Sequence, residues 1–170
     1  MNIGSFEQIT SSMIISDPSY TYDPKDDVSF SYVIDRVKEG KYNVYVTLRD
    51  NHVESLMAVH SILSVYGDEW KETGSIGVDT RQAGIYDLST YRDDNSVKEY
   101  PRTDYEVDNP GDEWYNVNSI ITTKNSSSGV LLNGTVSSSG YGDGEYPVYT
   151  LGYNNNVIGV KIVFIDEGED

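Results

Sequence analysis

Hydrophobic and polar positions alternate along much of this chain, with the two-residue period of a strand more often than the 3.6 of a helix. Residues 28–37 (VSFSYVIDRV) are rich in β-branched and aromatic side chains, and residues 42–48 (YNVYVTL) repeat that character after Glu39-Gly40-Lys41. The pattern predicts a hairpin from these two runs. In residues 52–60, Val53, Leu56, Met57 and His60 also fit a helical stripe. The Asp50-Asn51 link is good hairpin chemistry and no helix stop follows, so a strand is expected there.

Residues 74–86 (GSIGVDTRQAGIY) hold two β-prone pieces around a polar kink at 79–82, which reads as a hairpin or a bent strand. From 91 to 111 the chain turns polar and charged, and a mobile loop with a short turn near 96–100 is expected. Asn109-Pro110 supplies a helix start, and Trp114, Val117, Ile120 and Ile121 recur at helical spacing, predicting one helix over about 110–122. A Ser-rich turn at 125–129 precedes strands at 130–137, 146–153 and 157–165. The last two are joined by Asn154-Asn155-Asn156, and Asn tolerates the positive φ of tight turns. This C-terminal half reads as a meander.

The elements together predict a mainly β, α+β chain: an antiparallel sandwich-like or barrel-like single domain over residues 1–170, with one or two short helices. No solenoid period appears. Ile15-Ser16-Asp17-Pro18-Ser19-Tyr20 faintly echoes Ile85-Tyr86-Asp87-Leu88-Ser89-Thr90-Tyr91, an echo short enough for chance.

Charge narrows the partners. Twelve basic against 28 acidic side chains give a formal charge of −16, which repels a phosphate backbone and excludes direct nucleic-acid binding. The same field favours a basic protein partner or a cation. The chain has no cysteine, so thiol catalysis, disulfides and thiolate metal sites are excluded. Residues 1–15 lack a basic segment followed by an apolar run, and no stretch approaches the length of a membrane span, so a soluble cytoplasmic protein off the membrane is expected.

Candidate chemistry gathers on turns, where binding groups are commonly carried. One loop, 137–149, sets Ser139, Gly140, Gly142, Asp143 and Gly144 directly before Tyr146 on a strand, and glycines of this kind let backbone approach a ligand closely. At least one of the three glycines should have positive φ. The loop is not a phosphate loop, since no Gly-Lys-Ser/Thr follows. A second group comprises Asp79, Arg81, Gln82 and Asp87, and a third is Asp17 with Tyr20. Of these, all but Gly140 form the predicted ligand-binding set of eleven residues, and none is assigned a catalytic role. His52 and His60 are too far apart on one strand to share a metal. Oxygen-rich loops at 23–27, 93–95 and 108–113 offer calcium ligands, but none follows the EF-hand pattern, so no calcium site and no cofactor are assigned. Tyr42, Tyr45, Tyr146, Tyr149 and Tyr153 read as boundary packing rather than a stacking platform.

The segments 77–87 (GVDTRQAGIYD) and 140–149 (GYGDGEYPVY) resemble motifs in a family of bacterial and phage proteins of unknown function. Those relatives carry Val-Asp-Ser-Gly-Gln before an Asp-Pro-x-Tyr, and Gly-Asp-Gly-x-Tyr-Pro-Val-Tyr near the C-terminus. Arg81 stands where the family has Gly, and Leu88 where it has Pro, which implies a remodelled first loop. The resemblance brings no activity with it. Two function classes therefore stand: an acidic protein-binding or inhibitory module that occupies a basic site on a partner, and a small-ligand binder or carboxylate-based enzyme with its site at the two loops.

Overall fold

The structure, a computed structural model, describes residues 1–26, 29–62, 69–100, 109–124 and 127–166. Eleven strands and one α-helix follow in chain order: β1 Asn2–Gln8, β2 Met13–Ser16, β3 Tyr32–Ile34, β4 Gly40–Arg49, β5 His52–His60, β6 Lys71–Val78, β7 Gln82–Asp87, α1 Asp112–Lys124, β8 Ser128–Leu131, β9 Gly134–Ser138, β10 Gly144–Tyr153 and β11 Asn156–Val163. They form a six-stranded sheet, β1-β4-β5-β11-β10-β6, and a five-stranded sheet, β3-β2-β7-β9-β8. Neither sheet closes, so the architecture is a sandwich rather than a barrel.

Alternation explains the packing. Tyr42, Val44 and Val46 of β4 point into the space between the sheets, where Met13, Ile15, Leu56, Ile85, Val160 and Ile162 meet them. The smaller sheet is covered on its other face as well. Trp114, Val117 and Ile121 of α1 pack there on Ile14, Tyr86 and Val136. Two covered faces account for β2 and β7 being buried at every position. The helix start relies on a remote group: Asp94 Oδ1 accepts the Trp114 N–H and Oδ2 the Gly111 N–H, both at 3.0 Å.

Both predicted Asn-containing turns form. Asp50 and Asn51 take φ of 51° and 67°, and Asn154 and Asn155 take 51° and 66°, the left-handed pair that a tight hairpin needs. Three other pairings differ from expectation. The strand that begins at Tyr32 does not pair with β4; it joins β2 in the other sheet, and the 35–39 link crosses between sheets. The rest of that predicted strand is irregular or, at Val28, outside the described residues. Likewise β6 pairs with β10 and β7 with β2 and β9, so the 79–81 turn is a corner between sheets rather than a hairpin. Residues 130–137 are not one strand but the β8–β9 hairpin around Leu132-Asn133, and β9 to β10 crosses sheets, so no meander closes the C-terminal half. A 3-10 turn at Leu88–Thr90 leads into the 91–111 loop, which contains another at Asp94–Val97; its 101–108 segment lies outside the described residues, as do Asn125 and Ser126 of the Ser-rich turn.

The echo dismissed as chance is a structural repeat. The shift that takes residue 40 to 144 takes 49 to 153 and 52 to 156, laying β4–β5 on β10–β11 turn for turn. The register breaks at Thr47/Leu48 in one hairpin and at the counterpart Leu151/Gly152 in the other. Gln8↔Gly40 and Phe6↔Tyr42 on β1–β4 correspond to Val78↔Gly144 and Ile76↔Tyr146 on β6–β10. In each sheet a residue faces its own counterpart, Met57↔Lys161 and Ile15↔Ile85, which locates an approximate two-fold axis through both layers. The side chains follow: Tyr42 Oη donates to Lys38 O, and Tyr146 Oη to Gly142 O, each at 2.6 Å. His60 meets Tyr42 edge-on at 5.2 Å, and Phe164 meets Tyr146 in the same way at 5.2 Å. Strands β1 to β5 are thus one unit and β6, β7, β9, β10 and β11 the other. Helix α1 and strand β8 are inserted into the second.

Candidate functional site

Each repeat carries a buried aspartate at the C-terminal end of its inner strand, and each aspartate fastens the other repeat. Asp17 follows β2 and accepts four hydrogen bonds, from Ser19 N–H (2.8 Å), Asp79 N–H (2.9 Å), Thr80 N–H (2.8 Å) and Thr80 Oγ1 (2.7 Å). Asp87, at the end of β7, accepts from Ile9 N–H, from Thr10 N–H (3.1 Å) and Oγ1 (2.8 Å), and from Ser89 N–H (3.0 Å) and Oγ (2.9 Å). A carboxylate with 0% exposure is tolerated only with such saturation. These two acids are clasps. Because β2 and β7 run antiparallel, the clasps lie at opposite ends of the smaller sheet, and Asp87 is remote from the other predicted site residues.

Three of the predicted loops do converge at the Asp17 end. Arg81 N–H donates to Asp143 Oδ1 (2.9 Å), and Ser139 N–H to Arg81 O (3.1 Å), joining the 79–82 corner to the glycine loop. Arg81 holds φ of 60°, a left-handed conformation that glycine adopts without strain. Inside the glycine loop, Ser139 Oγ (2.7 Å) and Tyr146 Oη (2.6 Å) both donate to Gly142 O. Gly140 and Gly142 have φ of 55° and 132°, as expected of at least one of the three glycines. The Asp17–Tyr20 turn is held by Tyr91, whose Oη donates to Tyr20 O (2.6 Å), and by Arg92, which donates to Pro18 O (2.6 Å). Gln82 turns away from this cluster. Its Nε2 donates to Ser119 Oγ and its Oε1 accepts from Thr122, tying the sheet to α1.

Beside the cluster opens a cleft of about 350 Å³, lined by Tyr20, Asp79 and Gly144 together with Phe30, Gly77 and Glu145. The Tyr20 and Phe30 rings are 6.0 Å apart and tilted by 41°. Phe30 lies across β6: its carbonyl accepts the Gly77 N–H (2.9 Å), and a Cβ on Gly77 would come within 3.0 Å of its ring. Ser75 Oγ donates to Glu145 Oε1 at 3.2 Å. The Tyr20 phenol is raised in pKa by partial burial and then by the negative field of Asp17, Asp79 and Asp143. Phe30 and Glu145 were not among the residues predicted for the site, Phe30 being read only as part of the 28–37 strand.

Elsewhere, His60 is buried, with Nδ1 accepting from Ile62 N–H (3.0 Å) and Nε2 donating to Glu39 O (2.8 Å), while exposed His52 rests on Tyr141. Among the described residues no three histidine, aspartate or glutamate side chains gather as a metal site, and no helix is long and apolar enough to cross a membrane. Asp23 and Asp93 in the oxygen-rich loops accept from the N–H groups of Lys25 and Asn95. The fold and site define an internally repeated antiparallel β-sandwich with an acidic, aromatic cleft at one sheet edge. Comparison with family models, curated proteins and solved structures gives no match.

Proposed function

We propose that this chain is an acidic protein-binding or inhibitory module, cytoplasmic and of the bacterial or phage kind its motifs resemble, that occupies a basic site on a partner protein. Unneutralised charge carries this reading: 28 carboxylates stand against 12 cations, and two ion pairs, Arg49 with Glu54 and Arg92 with Asp112, form between described residues. Such a field speeds encounter with a basic surface and repels nucleic acid from the same surface. The alternative, a small-ligand binder or carboxylate enzyme, draws support from the cleft beside the converged loops. Against the enzyme stands the use of Asp17 and Asp87, which are saturated by backbone and hydroxyl donors of their own fold.

The test is capture of partners on the immobilised protein across a salt series. Retention of basic proteins should fall by at least tenfold between about 0.05 and 0.5 M NaCl as screening shortens the field. Capture indifferent to salt contradicts the proposal.

A further inference from the structure

The cleft combines two aromatic faces, two exposed carboxylates and no basic lining residue. An ammonium or guanidinium group over an aromatic face is attracted by the ring quadrupole, and nearby carboxylates add direct charge pairing. We infer that this cleft is the anchor for one arginine or lysine side chain of the partner protein, with Tyr20 and Phe30 flanking the cation and Asp79 and Glu145 pairing with it. The inference rests on the proposed binding of a basic partner and names where the contact is made.

The internal repeat supplies a built-in control. At the counterpart edge, Glu7 replaces Gly77, Ile9 replaces Asp79 and Lys41 replaces Glu145. The same backbone hook is present there, since Glu7 N–H donates to Leu132 O at 3.0 Å as Gly77 N–H does to Phe30 O. That edge is closed further by Asn133, which donates to Glu7 O at 2.9 Å. One scaffold thus offers a cation two carboxylates and an aromatic pair at one edge, and an apolar residue, a lysine and the single carboxylate of Glu7 at the other. Gly77 is what lets Phe30 lie across the strand and form the wall. The Ser75 hydroxyl fixes one oxygen of Glu145, which reduces the ordering cost of pairing.

The experiment titrates the whole chain with an oligoarginine peptide and, separately, with the amides of N-acetyl-arginine and N-acetyl-lysine, followed by amide chemical shifts and calorimetry. All three probes should move the signals of Tyr20, Phe30, Gly77 and Asp79, and the stronger of the two amides identifies the preferred side chain. The pair D79N/E145Q, and separately F30A at a residue already 60% exposed, should each weaken the peptide by about tenfold. E7Q/E69Q removes the same charge at exposed sites outside the cleft and should weaken it by less than about threefold, as general screening does. Equal losses from both pairs overturn the cleft as anchor and leave the acidic-module reading standing. Peptide indifference in the unmodified protein overturns that reading, and the amides then decide the cleft alone: shifts confined to it uphold a cation site, and their absence rejects it.

Discussion

The two edges of the six-stranded sheet are the same structure put to different use. β1 and β6 pair in the same register with β4 and β10, carry a register break at the same place, and receive a carbonyl from a crossing segment at the same residue. Yet the β1 edge is shut by Leu132 and Asn133, and the β6 edge is opened by Gly77 beneath Phe30. The difference shows which residues the scaffold needs and which are free. Thr10, Asp17 and Ser19 recur as Thr80, Asp87 and Ser89 because each clasp depends on those hydrogen-bonding groups. Core positions are interchangeable apolar residues, and the edges diverge.

If the clasps are equivalent, breaking either should cost about the same, and this is the largest effect expected. Asp17→Ala and Asp87→Ala each strand several buried donors, so each should lose about 3 kcal/mol or more in urea unfolding. Loss at only one of them would break the equivalence. A second contrast concerns the layer under α1. Burial raises the phenol pKa of Tyr86 and Tyr91 there, and of Tyr42 between the sheets. A group whose folded pKa is raised contributes stability that is complete below its unfolded value, about 10 for tyrosine, and is lost as pH rises through the folded value. Melting midpoints should therefore drop steadily above about pH 10, and Tyr91→Phe should flatten that decline. The smallest effect tests the hydroxyl hooks: Tyr42→Phe and Tyr146→Phe should each cost about 1 kcal/mol, with matching values for the two repeats.

Much of the fold was legible where chemistry is local. Asp50-Asn51 and Asn154-Asn155 announced their hairpins because few residues accept positive φ at both turn positions. The helix announced itself through Trp114, Val117 and Ile121. Alternation says that a segment is a strand but not which sheet it enters, so residues 28–37 were paired with their neighbour in sequence, and the corner at 79–81 read as a hairpin or a bent strand. The repeat hid because Met13 and Ala83, or Val46 and Thr150, fill equivalent places without resembling each other. At the site, the 17–20, 79–82 and 139–146 turns picked out in the sequence converge, whereas Asp87 and Gln82 face elsewhere. Phe30 could not be foreseen as a wall, since it reaches the cleft only by crossing β6 over a glycine from a distant part of the chain.

One measurement bears most directly on the claim that an open edge on a repeated scaffold makes the binding site. Asp79→Ile and Glu145→Lys together write the counterpart residues of the closed edge into the open one, at two exposed positions. Calorimetric titration of oligoarginine into this variant should show at least a tenfold loss of affinity, with the unfolding free energy kept within about 1 kcal/mol. Affinity retained in the folded variant would contradict the claim.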